Sequence, residues 1–229
     1  MDSKPVFRYF DILMALFVAV LLISNIASTK ILTLWKFTFD GGTILFPLSY
    51  IFGDILTEVY GYRNSRKVIW TGFFCALLMS VVLWAVQMLP PAAEWTSQAA
   101  FESILGFIPR IVIASLIAYF AGEFSNAIIL SKLKIKTKGK YLWVRTIGST
   151  LVGEGIDTVI FCMIAFYGVL PNSLLVSIII SNYIFKCGVE IFLTPITYKA
   201  VGFLKKKEGV DVYDHNTSYN PFPFFFKKP

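Results

Sequence analysis

Long apolar runs separated by short polar connections dominate this chain. A helix needs about 20 apolar residues to cross the roughly 30 Å hydrocarbon layer of a bilayer. Runs that approach or exceed this length lie at about residues 10–29, 43–60, 68–89, 108–130, 142–167 and 173–199. Because lipid offers the backbone no hydrogen-bond partner, such runs form helices. The pattern predicts an all-α, six-helix integral membrane protein.

Basic residues favour alternate connections between these runs. They occur before the first run and after the second, fourth and sixth, most densely in the segment from Lys132 to Lys140. Lys and Arg are retained on the cytoplasmic side of a membrane, so we expect both termini in the cytoplasm. The domains predicted are a cytoplasmic N-terminal segment (1–9), a six-span transport domain (10–200) and a cytoplasmic tail (201–229).

Composition supports a membrane protein and narrows its chemistry. Of 229 residues, 56% are hydrophobic and 15% are charged, against about a quarter charged in ordinary globular domains. A soluble helical core would need charged faces that these segments lack. The single His and three Cys leave little room for a metal cluster or a disulfide framework, and we expect no cofactor. A net charge of +7 would suggest nucleic-acid binding in a water-soluble protein. This chain is too apolar for that class, so no nucleic-acid partner is predicted.

Carboxylates inside the predicted spans are the candidates for function. An Asp, Lys or Arg at the middle of a span costs about 2.5–3.5 kcal/mol, so it normally faces a partner or a wet cavity. The carboxylates inside spans are Asp54, Glu58, Glu123, Glu154, Asp157 and Glu190. Salt bridges that only fasten helices together are the alternative for each of them.

Depth along the helices separates these groups. At 1.5 Å per residue, the positions near the bilayer centre are Asp54, Glu154, Asn182 and Lys186. Nearer the cytoplasmic side are Glu58, Glu123 and Glu190, for which we predict gating or coupling roles, together with Lys30 at the end of the first run. Lys186 and Glu190 are four residues apart and could neutralise each other.

A weak internal repeat links the two halves of the chain. Ser24-Asn25 matches Ser125-Asn126, and Gly53-Asp54 matches Gly153-Glu154. A unit of three spans enters the membrane from opposite sides in its two copies, so residues 10–89 and 108–199 would form an inverted 3+3 repeat. Many secondary transporters have this architecture and bind substrate at the midplane. Apolar and small-residue coincidences are common in membrane helices, and the match is short.

Four motifs resemble the YhhQ-type queuosine-precursor transporter family. They are Ser24–Lys30, Gly53–Gly61, Gly153–Thr158 and Asn182–Lys186, and the resemblance covers nearly all of residues 10–200. It implies a six-span importer in the bacterial inner membrane for 7-deazaguanine bases, namely 7-cyano-7-deazaguanine, its 7-aminomethyl form, or queuine. These bases feed synthesis of the tRNA nucleoside queuosine. The substrate comes from the resemblance alone.

The chemistry of such a base suggests roles for the central residues. A deazaguanine presents a ring N–H beside an amino group, and one carboxylate can accept from both in a charge-assisted contact. Candidates for that carboxylate are Asp157 or Glu154, then Asp54. Candidates to donate to the ring carbonyl are Asn182, Asn25 and Lys186. Candidates for stacking on the base are Tyr50, Phe52 and Tyr183.

Other functions stay open at this point. The chain has no phosphate-binding loop of the Gly-x-x-x-x-Gly-Lys-[Ser/Thr] kind, so an ATP-driven alternative is a substrate-binding subunit of a vitamin-uptake complex. An intramembrane enzyme would need a catalytic constellation, yet the only His lies in the tail. We therefore expect no enzyme activity. A structural or assembly protein would not need the central carboxylates. A homodimer is expected only because small membrane proteins often pair. The energy for uptake could come from a proton gradient, a sodium gradient or trapping of the substrate inside the cell.

Overall fold

A computed structural model describes residues 7–34, 37–105, 108–168, 171–215 and 217–222. Within these ranges the chain forms seven α-helices. They are α1 (Phe10–Ala27), α2 (Phe46–Tyr60), α3 (Tyr62–Gln87), α4 (Gln98–Leu105), α5 (Ile108–Lys136), α6 (Leu142–Phe166) and α7 (Asn172–Glu208).

Five of the described helices are long and apolar enough to cross a bilayer. They are α1, α3, α5 from Ile113 onward, α6 and α7. Large apolar side chains cover their outer surfaces, as at Leu78, Ile184 and Phe192, of which Phe192 is 81% exposed. Exposed apolar surface of this extent suits lipid rather than water. The prediction of a helical multi-pass membrane protein is confirmed.

The second predicted span differs from the others, because its helix is short and follows a non-helical segment. Strands β1 (Ile31–Leu34) and β2 (Phe37–Asp40) pair antiparallel, and a 3₁₀ turn at Gly41–Ile44 follows. The helix α2 then has 15 residues, or about 22 Å. The apolar run at 43–60 predicts a helix from residue 43, which would place Pro47 inside it. Instead Pro47 lies in the first turn, where its missing N–H costs nothing.

The hairpin before α2 lies beside the middle of α7. The rings of Phe39 in β2 and Phe185 in α7 have centroids 5.0 Å apart. Phe185 is about 20 Å from the start of α7 at Asn172. Irregular backbone inside a membrane protein is tolerated where it is enclosed by protein or lines a cavity. Helix α2 therefore begins within the bundle.

Helices α5 and α6 form a hairpin with very close backbones. A Cβ atom added to Gly153 would lie 3.1 Å from the Gly122 carbonyl oxygen and 3.0 Å from the Tyr50 ring. Small residues permit this approach in membrane helices. The crossing brings α5, α6 and Tyr50 of α2 together at the centre of the bundle.

The segment after α7 packs back on the helix ends. The predicted boundary at residue 200 falls inside α7, which continues to Glu208. Beyond it, Asp214 accepts hydrogen bonds from the Tyr62 backbone at 2.8 Å and the Ser131 hydroxyl at 2.7 Å. The Trp70 indole donates to the Pro221 carbonyl at 2.8 Å. The described part of this segment thus fastens the ends of α3 and α5.

Candidate functional site

A cavity lies where α2 begins. It is narrow and partly open to the outside, and the centres of water-sized molecules can occupy about 30 Å³ of it. We call it the Lys186 pocket, and its lining residues are Ser28, Thr43, Phe46, Ser115, Asp157, Thr158, Phe161, Asn182 and Lys186. The 3₁₀ turn contributes Thr43 and the first turn of α2 contributes Phe46. The break in the second predicted span therefore forms one wall of the pocket.

Lys186 is the electrostatic centre of this pocket. Its Nζ lies 2.8 Å from Asp157 Oδ2 and 3.0 Å from Glu154 Oε2. Only the Asp157 contact has hydrogen-bond geometry, and the Glu154 contact is an ion pair. Lys186 is nearly buried, and its ammonium lies 4.5 Å from the centroid of the Phe46 ring, a cation–π distance. Two carboxylates therefore share one cation here, and of the two only Asp157 lines the pocket.

The expected pairing of Lys186 with Glu190 is wrong. Lys186 turns instead to Asp157 and Glu154 of α6. Glu190 is 1% exposed, and neither of its carboxylate oxygens has a hydrogen-bond partner in the described part of the chain. The ammonium of Lys186 thus pairs with two carboxylates of the neighbouring helix and not with the glutamate one turn away on its own helix.

The remaining predicted contacts lie at different distances from the pocket. Asn182 lines it, and its side-chain oxygen accepts no hydrogen bond from any described residue. Asn25 stands behind the wall, since its oxygen accepts from the hydroxyl of the lining residue Ser115 at 2.8 Å. Asp54 is not among the lining residues. The side chain of Lys30 is exposed, and its backbone oxygen accepts from Gly41 at the base of the hairpin.

The aromatic residues of the pocket are not those expected from sequence. Phe46 and Phe161 line it. Tyr50 is fully buried, with no described hydrogen-bond partner for its hydroxyl, and Tyr183 donates to the Leu151 carbonyl at 3.0 Å. A planar guest in this pocket would meet Phe46 and Phe161.

Deeper in the bundle, three carboxylates form no ion pair with any residue that the structure describes. We call Asp54, Glu123 and Glu190 the central carboxylates; each is at most 1% exposed. Asp54 Oδ1 accepts from the amide nitrogen of Asn126 at 2.7 Å, which joins α2 to α5. Glu123 lies against Gly53, where an added Cβ would fall 2.9 Å from its Oε2. Gly53 thus leaves room for a carboxylate that has no described hydrogen-bond partner.

Glu58 has the opposite environment, although it also belongs to α2. Arg145 donates to both of its carboxylate oxygens, at 3.0 and 2.7 Å. Lys205 donates to Oε1 at 2.7 Å, and Lys134 lies 3.7 Å from the same oxygen. Bidentate Arg–carboxylate pairs are among the strongest charged contacts in proteins.

Asp211 completes this arrangement from the segment after α7. Its Oδ1 lies 2.6 Å from Lys134 Nζ and 2.9 Å from Lys205 Nζ. Burial raises the pKa of Asp211, but the hydrogen bonds and charges of the two lysines outweigh burial and hold its pKa below the usual range. We call Glu58, Lys134, Arg145, Lys205 and Asp211 the Glu58 network.

Sequence reasoning gave a site role to only one member of this network, Glu58. Lys134 belongs to the basic segment from Lys132 to Lys140, which was interpreted only as a signal of orientation. Lys134 is eleven residues after Glu123, which is three helical turns and places both on one face. That periodicity would have indicated an inward-facing lysine, whereas nothing local marks Asp211.

Comparison with known proteins gives a consistent result. A family model described as "Putative vitamin uptake transporter" matches residues 40–200. A Bacillus subtilis protein named "Probable queuosine precursor transporter" is 32% identical over 186 residues, covering 81% of each chain. An Escherichia coli protein named "Queuosine precursor transporter" is 26% identical over 171 residues, covering 72% of this chain and 74% of its own. No solved structure gives a significant match.

Proposed function

This chain belongs to the putative vitamin uptake transporter family, and we propose that it imports queuosine precursors across the bacterial inner membrane. The names of its relatives support this class of substrate. The substrates we propose are 7-deazaguanine bases, either 7-cyano-7-deazaguanine, its 7-aminomethyl form, or queuine. The transporter has six spans with both termini in the cytoplasm, where α2 and the preceding hairpin together make the second span.

The observation that carries this proposal is the set of groups around Lys186. Asp157 offers a carboxylate to the adjacent N–H and amino donors of the base, with Glu154 beside it. The ring carbonyl takes a hydrogen bond from Lys186 or from the Asn182 amide. Phe46 and Phe161 supply apolar faces to the ring. Stacking on aromatic side chains contributes about 1–3 kcal/mol per base in proteins that bind single strands.

Binding replaces an internal ion pair with the substrate. The pocket is narrow with Lys186 lying between Asp157 and Phe46, so a base enters when the flexible lysine side chain swings aside. The freed carboxylate then accepts from the base instead. Asn25 supports this wall through Ser115.

The transporter works by alternating access, in which contacts between the two halves close the pocket to one side of the membrane at a time. The halves 10–89 and 108–199 rock about the pocket as an inverted repeat. The Glu58 network joins α2 of the first half to α5, α6 and α7 of the second, and it closes the cytoplasmic side. Lys30 borders the external entrance. Along α5 and α7, Glu123 and Glu190 lie between the pocket and the Glu58 network. In this position they couple binding in the pocket to opening of the network.

Rescue of tRNA modification tests the function directly. A bacterial strain that cannot make queuosine precursors and lacks its own importer would receive this chain and a nanomolar supply of 7-cyano-7-deazaguanine. We expect queuosine to reappear in its tRNA, as measured by mass spectrometry of nucleosides. Cells that carry the chain but receive no base serve as the control. Queuosine levels equal to those of a vector-only strain would refute the proposal.

A second experiment separates this function from its ATP-driven alternative. The purified chain alone, reconstituted into proteoliposomes without ATP, should exchange internal for external labelled base. If exchange appears only when an ATPase complex is added, the chain is the substrate-binding subunit of a larger importer.

A further inference from the structure

Asp54 and Asn126 form a hydrogen-bonded pair in which two oxygen atoms lack a described partner. The Asn126 amide nitrogen donates to Asp54 Oδ1 at 2.7 Å. The other two oxygens of the pair, Asp54 Oδ2 and Asn126 Oδ1, are buried and have no partner in the described ranges. Both residues are 0% exposed. Both leftover atoms are acceptors, so neither can satisfy the other as the side chains stand.

A single proton would satisfy both atoms. A protonated Asp54 carboxyl carries an O–H donor, and the Asn126 oxygen of the same pair is an acceptor that has no described donor. The acid and the amide would then make two hydrogen bonds instead of one. Buried polar groups are normally paired, and here the missing element is a hydrogen atom rather than another residue.

The charge around Asp54 favours this proton. Glu190 of α7, Glu123 of α5 and Glu58 of its own helix all act on it electrostatically. Glu154 of α6 acts in turn on Glu123 and Glu190. The buried cations of the described chain are already engaged: Lys186 with Glu154 and Asp157, and Lys134 and Arg145 with Glu58. Additional negative charge without a counter-ion is strongly unfavourable in such surroundings.

We propose that Asp54 is a proton-binding site and that proton entry drives base uptake. This rests on the proposed function and assigns Asp54 to coupling rather than to contact with the base. The Asp54–Asn126 pair joins α2 of the first half to α5 of the second, so protonation strengthens a contact between the two moving halves. Loss of the proton leaves one hydrogen bond and a bare charge, which weakens that contact.

Asp54→Asn is the informative variant, because an amide at this position imitates the protonated acid. Its N–H₂ can donate to Asn126 Oδ1 while its oxygen accepts from Asn126 Nδ2. The variant should therefore unfold at a temperature no lower than the wild type in lipid nanodiscs. A decrease of several degrees, as expected for removal of a necessary buried charge, would overturn the assignment. Asn126→Leu removes both the amide donor and the amide acceptor that face Asp54, so it should lower the unfolding temperature.

Proteoliposome transport separates coupling from transport itself. Labelled 7-cyano-7-deazaguanine is measured in two assays: exchange without ion gradients, and net accumulation under an imposed gradient with the membrane potential clamped. With one proton per base, the wild type should accumulate about tenfold for each pH unit of an inside-alkaline gradient. Asp54→Asn should retain exchange but accumulate no base.

Each failure has a distinct meaning. Wild-type accumulation that follows a sodium gradient, or neither gradient, would refute proton coupling while leaving the importer intact. Accumulation by Asp54→Asn equal to that of the wild type would refute the role of Asp54. Absence of exchange in the wild type would instead refute the proposed function.

Discussion

Glu58 and Glu190 are both buried glutamates, but their surroundings differ completely. Glu58 is 0% exposed and lies among Arg145, Lys205 and Lys134. Glu190 is 1% exposed, and neither carboxylate oxygen has a described hydrogen-bond partner. Burial alone therefore does not identify a functional carboxylate. A buried carboxylate that has a counter-charge stabilises the fold through a salt bridge. A buried carboxylate without one is energetically unfavourable, and such a residue is the better candidate for a functional role.

The two environments also lie in different parts of the bundle. The Glu58 network joins the ends of α2 and α7 to the turn between α5 and α6, and Asp211 adds the following segment to it. The central carboxylates lie on α2, α5 and α7. We infer that the network stabilises one conformation, whereas the central carboxylates respond to changes of proton or substrate.

The largest predicted effect compares the same substitution at these two glutamates. Glu58→Gln leaves buried cations without their counter-charge, and breaking a buried pair in this way costs about 3–5 kcal/mol. Glu190→Gln removes a buried carboxyl group that has no described hydrogen-bond partner, so it should leave the free energy of unfolding unchanged or raise it, because an unpaired buried charge is unfavourable. Thermal unfolding in nanodiscs measures both. Equal destabilisation by the two variants would contradict the distinction.

Asp157→Asn tests the pocket, where carboxylates are paired but exchangeable. The variant removes a charge-assisted contact worth about 1.5–3 kcal/mol, so uptake should fall by roughly 10- to 100-fold. Protein levels in the membrane should not change. The matched control is Asp11→Asn, on the exposed first turn of α1, which should transport normally. Normal uptake by Asp157→Asn would remove this residue from the site.

Five of the helices could be predicted from sequence because contact with lipid leaves a one-dimensional signal. The run at 142–167 became α6 (Leu142–Phe166), and the run at 10–29 became α1 (Phe10–Ala27). The hairpin before α2 could not be predicted in this way. Its strands have only four residues each, of which three are apolar in the first and two in the second, and stretches this short give no clear strand signal.

The candidate site was predictable in membership but not in pairing. The cost of ionisable groups in spans identified Asp157, Glu154 and Lys186 from sequence. The i, i+4 rule suggested Glu190 as the partner of Lys186, yet the bonded partner, Asp157, is 29 residues away. Likewise Arg145 reaches Glu58 across 87 residues. Such pairings depend on how helices pack, and spacing along one helix does not contain that information.

Gly153 offers a test of the crossing beside the central carboxylates. In Gly153→Ala, the new Cβ would lie 2.9 Å from Asn126 Cβ and 3.1 Å from the Gly122 oxygen. Overpacking of this kind costs about 1–3 kcal/mol, and here it would also push α5 away from α6. Gly148→Ala on the same helix is the control, since its Cβ would approach only Leu133, at 3.5 Å. It should be neutral or stabilising, because alanine favours the helix by about 1 kcal/mol over glycine.

The smallest predicted effect concerns Asp211, the exposed member of the Glu58 network. Its side chain is 42% exposed, so Asp211→Asn should cost no more than about 1 kcal/mol at neutral pH. Since the folded-state pKa lies below the ordinary value of 3.8, the carboxylate stabilises the fold fully above that value. The contribution disappears as pH falls through the lower folded pKa.

The difference in stability between the wild type and Asp211→Asn should therefore be constant from about pH 5 to 8 and should disappear at acidic pH. Unfolding temperatures across this range measure it, with Glu94→Gln in the exposed connection before α4 as the control. If the difference persisted at the acid end, the lysines would not be acting through the Asp211 charge. In that case the segment after α7 would be held by contacts that do not involve these lysines, such as those of Asp214 with Tyr62 and Ser131.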